Sequence, residues 1–142
     1  MFGIWFIKAQ KNLSDLKDWL KGLLDNVLGK VTENRAGRDI SIVEKIKQHL
    51  LEEYKNDINY VSLGETFGYS ANYLGQVFKS HTSLTINEYV RNVRIMSAKQ
   101  LLKSTGLKIF EIAEEVGFSD QQYFCSVFKK NVGVTPSEYR EL

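Results

Sequence analysis

The last third of the chain repeats its middle third. Residues 73–89 read YLGQVFKSHTSLTINEY, and fifty positions later residues 123–139 read YFCSVFKKNVGVTPSEY. Seven of these seventeen positions are identical. A shift of one residue extends the match upstream, where Gly68 and Tyr69 align with Gly117 and Phe118. Because small duplicated units present one kind of surface twice, the repeat limits both the fold and the function.

Helix punctuation repeats with the same period. Asn59, Ser70 and Thr85 are predicted N-caps, and Ser119 and Thr135 are predicted to cap the matching helices of the second copy. A glycine separates two short helices in each copy, which is typical of a helix-turn-helix. Small residues at the equivalent positions 64 and 113 would let the paired helices approach closely. No segment alternates like a strand, so the prediction is an all-α fold with about seven helices plus an N-terminal amphipathic helix.

The first helix-turn-helix is predicted at about residues 58–82, a long linker helix at about 86–103 and the second helix-turn-helix at about 108–131. A linker of this size is roughly 27 Å long. Successive major-groove faces on one side of B-DNA lie about 34 Å apart. Two recognition helices held by this linker could therefore enter neighbouring major grooves.

The N-terminal part is predicted to be separate, with residues 1–38 forming an amphipathic helix and linker before a domain at 39–142. The polar run 32–39, with glycines before and within it, predicts the linker, and Ser41 with Glu44 predicts a capping box that starts a new helix. An apolar stripe repeats at three- and four-residue spacing: Leu13, Leu16, Leu20, Leu23, Val27. In a longer parent protein, the stripe predicts dimerisation. The alternative, which is favoured for the isolated chain, is that the stripe packs on residues 41–56 or on a missing partner domain.

Composition narrows the class of protein. The chain has 142 residues with 19 Lys/Arg and 17 Asp/Glu, but residues 41–142 carry twelve of each sign. To bind a polyanion, this region would therefore need its basic residues gathered on one face, apart from its acidic residues. The apolar segment 2–7 is too short to cross a bilayer, so no membrane partner is predicted. A lone cysteine, Cys125, suits a reducing compartment and hence the cytoplasm.

Residues 41–142 resemble the DNA-binding domain of AraC-family bacterial transcription regulators. The resemblance rests on fixed spacings in the second copy, among them Gly117-Phe118, residues 127–130, Thr135-Pro136 and Tyr139-Arg140. Arg94 fits the family's linker helix, with a structural role ahead of a phosphate contact. Residues 16–43 are also similar to the connector of AraC-type response regulators. Because no receiver domain precedes them, the chain is expected to be the C-terminal part of a longer regulator.

The resemblance implies that the exposed face of each second helix contacts DNA bases and that flanking side chains contact phosphates. The implied base contacts are Asn72, Gln76, Gln121, Gln122 and Ser126. The implied phosphate contacts are Tyr73, Lys79, Tyr123, Lys129 and Lys130. The alternative is that the polar residues are ordinary solvated helix positions and that the two tyrosines belong to the core.

One departure from the family bears on base preference. Many members carry arginine at the positions of Gln76 and Ser126, and this chain does not. Asparagine and glutamine pair with adenine, so we expect adenine pairing, thymine methyl contacts or DNA shape to replace guanine contacts.

No catalytic group, cofactor or metal site is predicted. His49 and His81 lack partners at ligand spacing, and no nucleophile has a neighbouring base in sequence. The resemblance implies double-stranded DNA and RNA polymerase as partners. The alternative function is a protein-interaction module derived from such a domain. DNA binding would require Lys79, Lys129 and Lys130 to share a face free of the acids Glu114, Glu115 and Asp120.

Overall fold

The computed structural model describes the backbone of residues 2–142 and the side chains of residues 16–32 and 34–142. Within these residues it contains seven α-helices and no strand, which confirms the all-α prediction. They are α1 (Phe2–Glu53), α2 (Tyr60–Phe67), α3 (Ala71–Thr82), α4 (Ile86–Ser104), α5 (Ile109–Glu115), α6 (Gln121–Val132) and α7 (Pro136–Glu141). The chain divides into two compact units, Met1–Ser41 and Ile42–Leu142.

The linker predicted at residues 29–39 is wrong, because α1 runs through it without a break. A glycine inside a helix costs only about 1 kcal/mol, and no proline interrupts this stretch, so Gly29 and Gly37 do not end the helix. Thr32 turns its hydroxyl back onto the helix and donates to the carbonyl of Leu28 at 3.0 Å. The capping box predicted at Ser41 and Glu44 is also wrong, since both residues lie inside α1.

The N-terminal part of α1 presents an exposed apolar surface. Its large apolar side chains between residues 16 and 31 are 44–62% exposed: Leu16, Trp19, Leu20, Leu23, Leu24, Val27, Leu28, Val31. Most of residues 41–56, on which the stripe was predicted to pack, belong to the same helix, α1. Leu13 lies outside the residues whose side chains are described. Among the described residues, no helix combines the length and apolar character needed to cross a bilayer.

The unit Ile42–Leu142 contains two small cores that share α4. The first core gathers apolar residues of α1, α2 and α3, and α4 adds Ile86 and Val90. The second gathers residues of α5 and α6, and the later turns of α4 add Ile95, Ala98 and Leu102. Because each helix-turn-helix packs on its own stretch of one continuous helix, α4 sets the spacing between them.

The two helix-turn-helix turns are closed by equivalent backbone hydrogen bonds. Tyr69 N donates to Gly64 O at 3.1 Å, and Phe118 N donates to Ala113 O at 2.8 Å. In the first turn the helices are so close that a Cβ on Gly64 would lie 2.6 Å from Tyr69 O. Gly68 and Gly117 adopt the left-handed conformation at φ 74° and 99°, which the turns require.

The second turn contains one residue more than the first. Ser70, the N-cap of α3, lies two residues after Gly68, whereas Asp120, the N-cap of α6, lies three residues after Gly117. The Asp120 carboxylate accepts from Gln122 N at 2.7 Å. The predicted cap at Ser119 is therefore wrong by one position. The caps predicted at Asn59, Ser70, Thr85 and Thr135 are confirmed.

Two glycine substitutions should change stability in opposite directions. Gly64→Ala places a methyl against a backbone carbonyl and should lower the free energy of unfolding by about 1–3 kcal/mol. Gly75→Ala, inside α3, should raise it by about 0.5–1 kcal/mol, because the new methyl would meet no atom of another element within 4 Å among the described residues. Urea unfolding followed by circular dichroism measures both. Equal effects of the two substitutions would contradict the close approach at Gly64.

Candidate nucleic-acid interface

The second helix of each helix-turn-helix buries one face and leaves the other open. In α3 the buried residues are Leu74, Val77 and Phe78, and in α6 they are Phe124, Val127 and Phe128. All five predicted base-contacting residues are exposed: Asn72, Gln76, Gln121, Gln122, Ser126. The structure thus makes each of them accessible to a ligand. Gln121 and Gln122 are not among the residues that line the hollows described below.

The open faces of α3 and α6 are joined by a continuous concave surface along α4, which we call the α3–α6 cleft. A hollow beside α3 is lined by Asn72, Gln76, Lys79 and Asn87, among others. A central hollow of about 460 Å³ is lined by Asn87, Arg91, Arg94 and Tyr123. A hollow beside α6 is lined by Arg91, Tyr123, Ser126 and Lys130. Because neighbouring hollows share lining residues, the three form one surface.

Two residues of this surface, Asn87 and Arg91, were not predicted as functional. They are four residues apart on α4, so they lie on one face of the helix. Both line the central hollow, and each also lines one of the outer hollows. Of the linker helix, only Arg94 was predicted from the sequence to have a role beyond spacing. The signal that could have found them is the spacing of Asn87, Arg91 and Arg94, which places three polar groups on the α4 face between the two units.

The predicted phosphate contacts do not all lie together. Lys79 and Lys130 line opposite ends of the cleft, and Tyr123 lines it with its side chain 53% exposed. Lys129 lies near Glu138, whose carboxyl pKa its charge helps to lower. Tyr73 is half-buried and stacks on Tyr69 with ring centroids 5.0 Å apart, against the first core. Its position favours the core interpretation over the phosphate contact.

Two acidic side chains of the second helix-turn-helix are held by local partners. Glu115 is paired with Lys55, and this hydrogen bond raises the pKa of the lysine. Asp120 accepts two backbone N–H bonds at the start of α6. None of Glu114, Glu115 and Asp120 lines the three hollows. Asp57 does line the central hollow, where its charge acts on Arg94.

Arg94 connects the segment that follows α1 to both helix-turn-helix units. Its Nε donates to Tyr54 O at 2.7 Å and its Nη2 to Asn56 O at 3.0 Å. The guanidinium lies 5.7 Å from the ring centroid of Phe118, beside the second turn. Partial burial lowers the pKa of Arg94, and the nearby Asp57 acts in the opposite direction. These contacts confirm the structural role predicted for this arginine.

Matching capping boxes position the helices that follow α3 and α6. Thr85 N donates to Glu88 at 2.8 Å while Glu88 N donates to Thr85 Oγ1 at 3.2 Å. Thr135 and Glu138 repeat both bonds at the start of α7. Hydrogen bonds from the threonines lower the pKa of both glutamates. The carboxylates are thus satisfied by helix starts while Lys79 and Lys129 lie close by.

Two short helices joined by a tight turn, with the second helix open on a polar cleft, are typical of a DNA-binding helix-turn-helix, and this chain contains two such units. Residues 63–142 match the family described as "Helix-turn-helix domain", of the AraC type. The chain belongs to this family, which consists of DNA-binding domains of transcription regulators and not of enzymes.

Named relatives agree with this membership. The chain is 38% identical over 105 residues to the uncharacterised HTH-type transcriptional regulator YijO of Escherichia coli K12, covering 74% of this chain and 37% of the relative. It is 34% identical over 102 residues to the HTH-type transcriptional activator RhaR of Escherichia coli O1:K1, covering 72% and 36%. The chain therefore spans little more than a third of the length of these relatives.

A solved structure shares the fold. It is the C-terminal domain of the two-component response regulator yesN from Fusobacterium nucleatum, with a TM-score of 0.64 and 38% identity. The match covers 68% of this chain and 95% of that structure. The shared fold thus extends over nearly the whole of that C-terminal domain.

The capping boxes should make stability depend on acid pH. Because the folded-state pKa of Glu88 and Glu138 is lowered, their contribution is present above the unfolded-state pKa of about 4.3 and is lost as the pH falls through the lower folded-state value. The variant Glu88→Gln/Glu138→Gln should melt at a lower temperature than the wild type at pH 7. The difference should shrink steadily below about pH 4. Thermal unfolding between pH 3 and pH 7 measures it, with Glu141→Gln as the control. A difference independent of pH would contradict the carboxylate caps.

Proposed function

We propose that this chain is the DNA-reading part of a transcription regulator that binds two successive major grooves on one face of the duplex. The observation that carries the proposal is the α3–α6 cleft, which joins two open recognition faces along one helix. At 19 residues, α4 is about 28 Å long, close to the ~34 Å repeat of the major groove. Each unit packs on its own part of that helix, which supports simultaneous engagement.

Base recognition is assigned to the exposed faces of α3 and α6. Asn72 and Gln76 offer amides to the first major groove, and Gln121, Gln122 and Ser126 offer amides and a hydroxyl to the second. Amides pair bidentately with adenine through N6 and N7. The absence of arginine from both faces supports a preference for adenine and thymine. Gly75 has open space around it, so the backbone of α3 can approach the base edges closely.

Backbone contacts are assigned to the ends of the cleft. Lys79 and Lys130 lie beside the first and second recognition helix, and Tyr123 lies between the second helix and α4. Such contacts fix the register of the protein on DNA and carry the salt dependence of binding. Lys129 does not line the hollow beside α6 and its charge acts on Glu138, so we rank it behind Lys130.

We further propose that the regulator acts through RNA polymerase and as a dimer. The relative RhaR is named a transcriptional activator, which supports a role in recruiting polymerase. A protein that binds promoters acts where the chromosome lies, which supports the cytoplasm as its location. The exposed apolar stripe on α1 includes Leu16, Leu20, Leu23 and Val27. The three- and four-residue spacing of these side chains fits pairing of the helix with a second copy.

In-vitro selection from randomised duplex DNA tests the two-groove proposal. We expect a motif with two A·T-containing half-sites centred about ten base pairs apart. On the selected duplex, Gln122→Ala should relax the preference at one position at a cost of about 1–3 kcal/mol in binding free energy. Lys130→Ala should weaken all duplexes equally and reduce the slope of log K against log salt by about one.

Lys103→Ala is the matched control, because this lysine lies over the Tyr139 ring and does not line the cleft. Its affinity for the selected duplex should equal that of the wild type. Recovery of no motif, or of a single half-site, would overturn two-groove binding. Recovery of half-sites with fixed guanines would overturn the assigned adenine preference.

Self-association through α1 is tested by sedimentation. We expect the average mass to rise with protein concentration toward that of a dimer, since two heptads of contact give only weak pairing. Leu20→Glu/Leu23→Glu should remove the rise, while Lys21→Glu on the same helix should leave it unchanged. Concentration-independent monomer for the wild type would contradict pairing of α1.

A further inference from the structure

Arg91 occupies the middle of the α3–α6 cleft. It lines both the central hollow and the hollow beside α6, and Asn87, one turn earlier on α4, lines the central hollow and the one beside α3. Arg91 is half-buried, yet its guanidinium has no ion pair within 4 Å and no hydrogen bond in the part of the chain that the structure describes. Arg94, in contrast, is occupied by two backbone carbonyls. Arg91 is therefore the arginine of this cleft that is available to a ligand.

The geometry of B-DNA fixes what would face Arg91. If α3 and α6 enter major grooves one helical turn apart on one side of the duplex, the minor groove between them faces the protein midway. The helix that crosses this midpoint is α4, and its cleft-facing side chains there are Asn87 and Arg91. This step rests on the proposed function, since it assumes that both recognition helices engage one duplex.

We propose that Arg91, with Asn87 beside it, reads the minor groove between the two half-sites and selects A·T pairs there. A run of A·T pairs narrows the minor groove and strengthens its negative potential, which attracts an inserted guanidinium. The A·T floor offers only acceptors, A N3 and T O2, to the donors of Arg91 and Asn87. A G·C pair adds the guanine N2 amino group, a donor that opposes the guanidinium of Arg91, which can only donate.

The rest of the cleft fits this assignment. The exposed faces of α3 and α6 carry no arginine. Arg91 is therefore not accompanied there by a second guanidinium that could read guanine. Asp57 lies in the same hollow, but its charge acts on Arg94. Glu88 lies three residues before Arg91 on α4 and its charge interacts with those of Lys79 and Arg91, but its carboxylate is hydrogen-bonded by the backbone and hydroxyl of Thr85. Arg91 is thus the arginine at the centre of the cleft whose guanidinium forms no hydrogen bond or ion pair within the described residues.

Base analogues separate minor-groove reading from major-groove reading. The half-sites found by selection are kept constant, and the central base pairs are made A·T, G·C, inosine·cytosine or 2,6-diaminopurine·thymine. Inosine·cytosine lacks the minor-groove amino group of G·C, and diaminopurine·thymine adds one to A·T. We expect A·T and inosine·cytosine centres to bind at least about fivefold tighter than the other two.

Arg91→Ala should remove this difference, and Arg91→Lys should keep much of the affinity while reducing the discrimination, since lysine keeps the charge but lacks the planar fork. Lys103→Ala, on the same helix but not lining the cleft, should discriminate as the wild type does. Unfolding curves of the three variants show whether each is folded. Wild-type discrimination that persists in Arg91→Ala would assign the effect to another group and overturn the proposal.

The remaining outcomes are also decisive. If the A·T and diaminopurine·thymine centres bind with the same affinity, and the G·C and inosine·cytosine centres with another, the centre is read in the major groove. That result would overturn the proposal. If the wild type instead binds all four centres with equal affinity, and Arg91→Ala loses the same affinity for each, Arg91 contacts only phosphate. In that case the proposal is also overturned. Failure to bind any of the four duplexes would instead overturn the proposed two-groove function on which the inference rests.

Discussion

Arg94 donates two hydrogen bonds to backbone carbonyls at the end of α1, and the placement of the two helix-turn-helix units depends on this junction. Hydrogen bonds from a charged donor contribute about 1.5–3 kcal/mol each, and an unsatisfied carbonyl costs a comparable amount. Gly117 completes the junction from the second unit, because a Cβ there would lie 2.7 Å from Lys55 O. The chain segment after α1 is thereby fixed between α4 and the second turn. Since α1 also supplies the first core, one arginine links the two units.

The sequence predicted those parts of the fold whose signals are local. The N-caps at Asn59, Ser70, Thr85 and Thr135 depend on side chains that bond to the first turn of their own helix, so residue type and spacing suffice. Residues 29–39 were misassigned because two glycines and a polar run are weak local signals, which a helix outweighs when no proline removes a hydrogen bond. Ser119 was misassigned as a cap because one added residue in the second turn shifts the cap to Asp120, and identity between the repeats does not reveal where such a residue lies.

The exposure of the proposed base contacts was predictable, because these residues lie on the repeated helices. Gln76 and Ser126 occupy equivalent exposed positions of α3 and α6, and the family resemblance implied base contacts at both. Asn87 and Arg91 have no such signal, because the linker helix occurs once and its cleft-facing side is set by how two cores pack on it. Tyr73 and Tyr123 are identical in sequence but differ in environment. Tyr69 lies parallel to Tyr73, whereas Phe118 meets Tyr123 edge-on and leaves it more exposed.

A domain with twelve charges of each sign can still present a basic surface if its acids are used locally. Glu88 and Glu138 serve capping boxes, Asp120 caps α6 and Glu115 pairs with Lys55. Each carboxylate is held by its own helix start or by one lysine outside the cleft. Lys79, Arg91 and Lys130 line the cleft and form no ion pair within 4 Å in the part of the chain that the structure describes. Because exposed charges more than about 10 Å apart are largely screened at physiological salt, the local arrangement and not the net charge decides what this surface attracts.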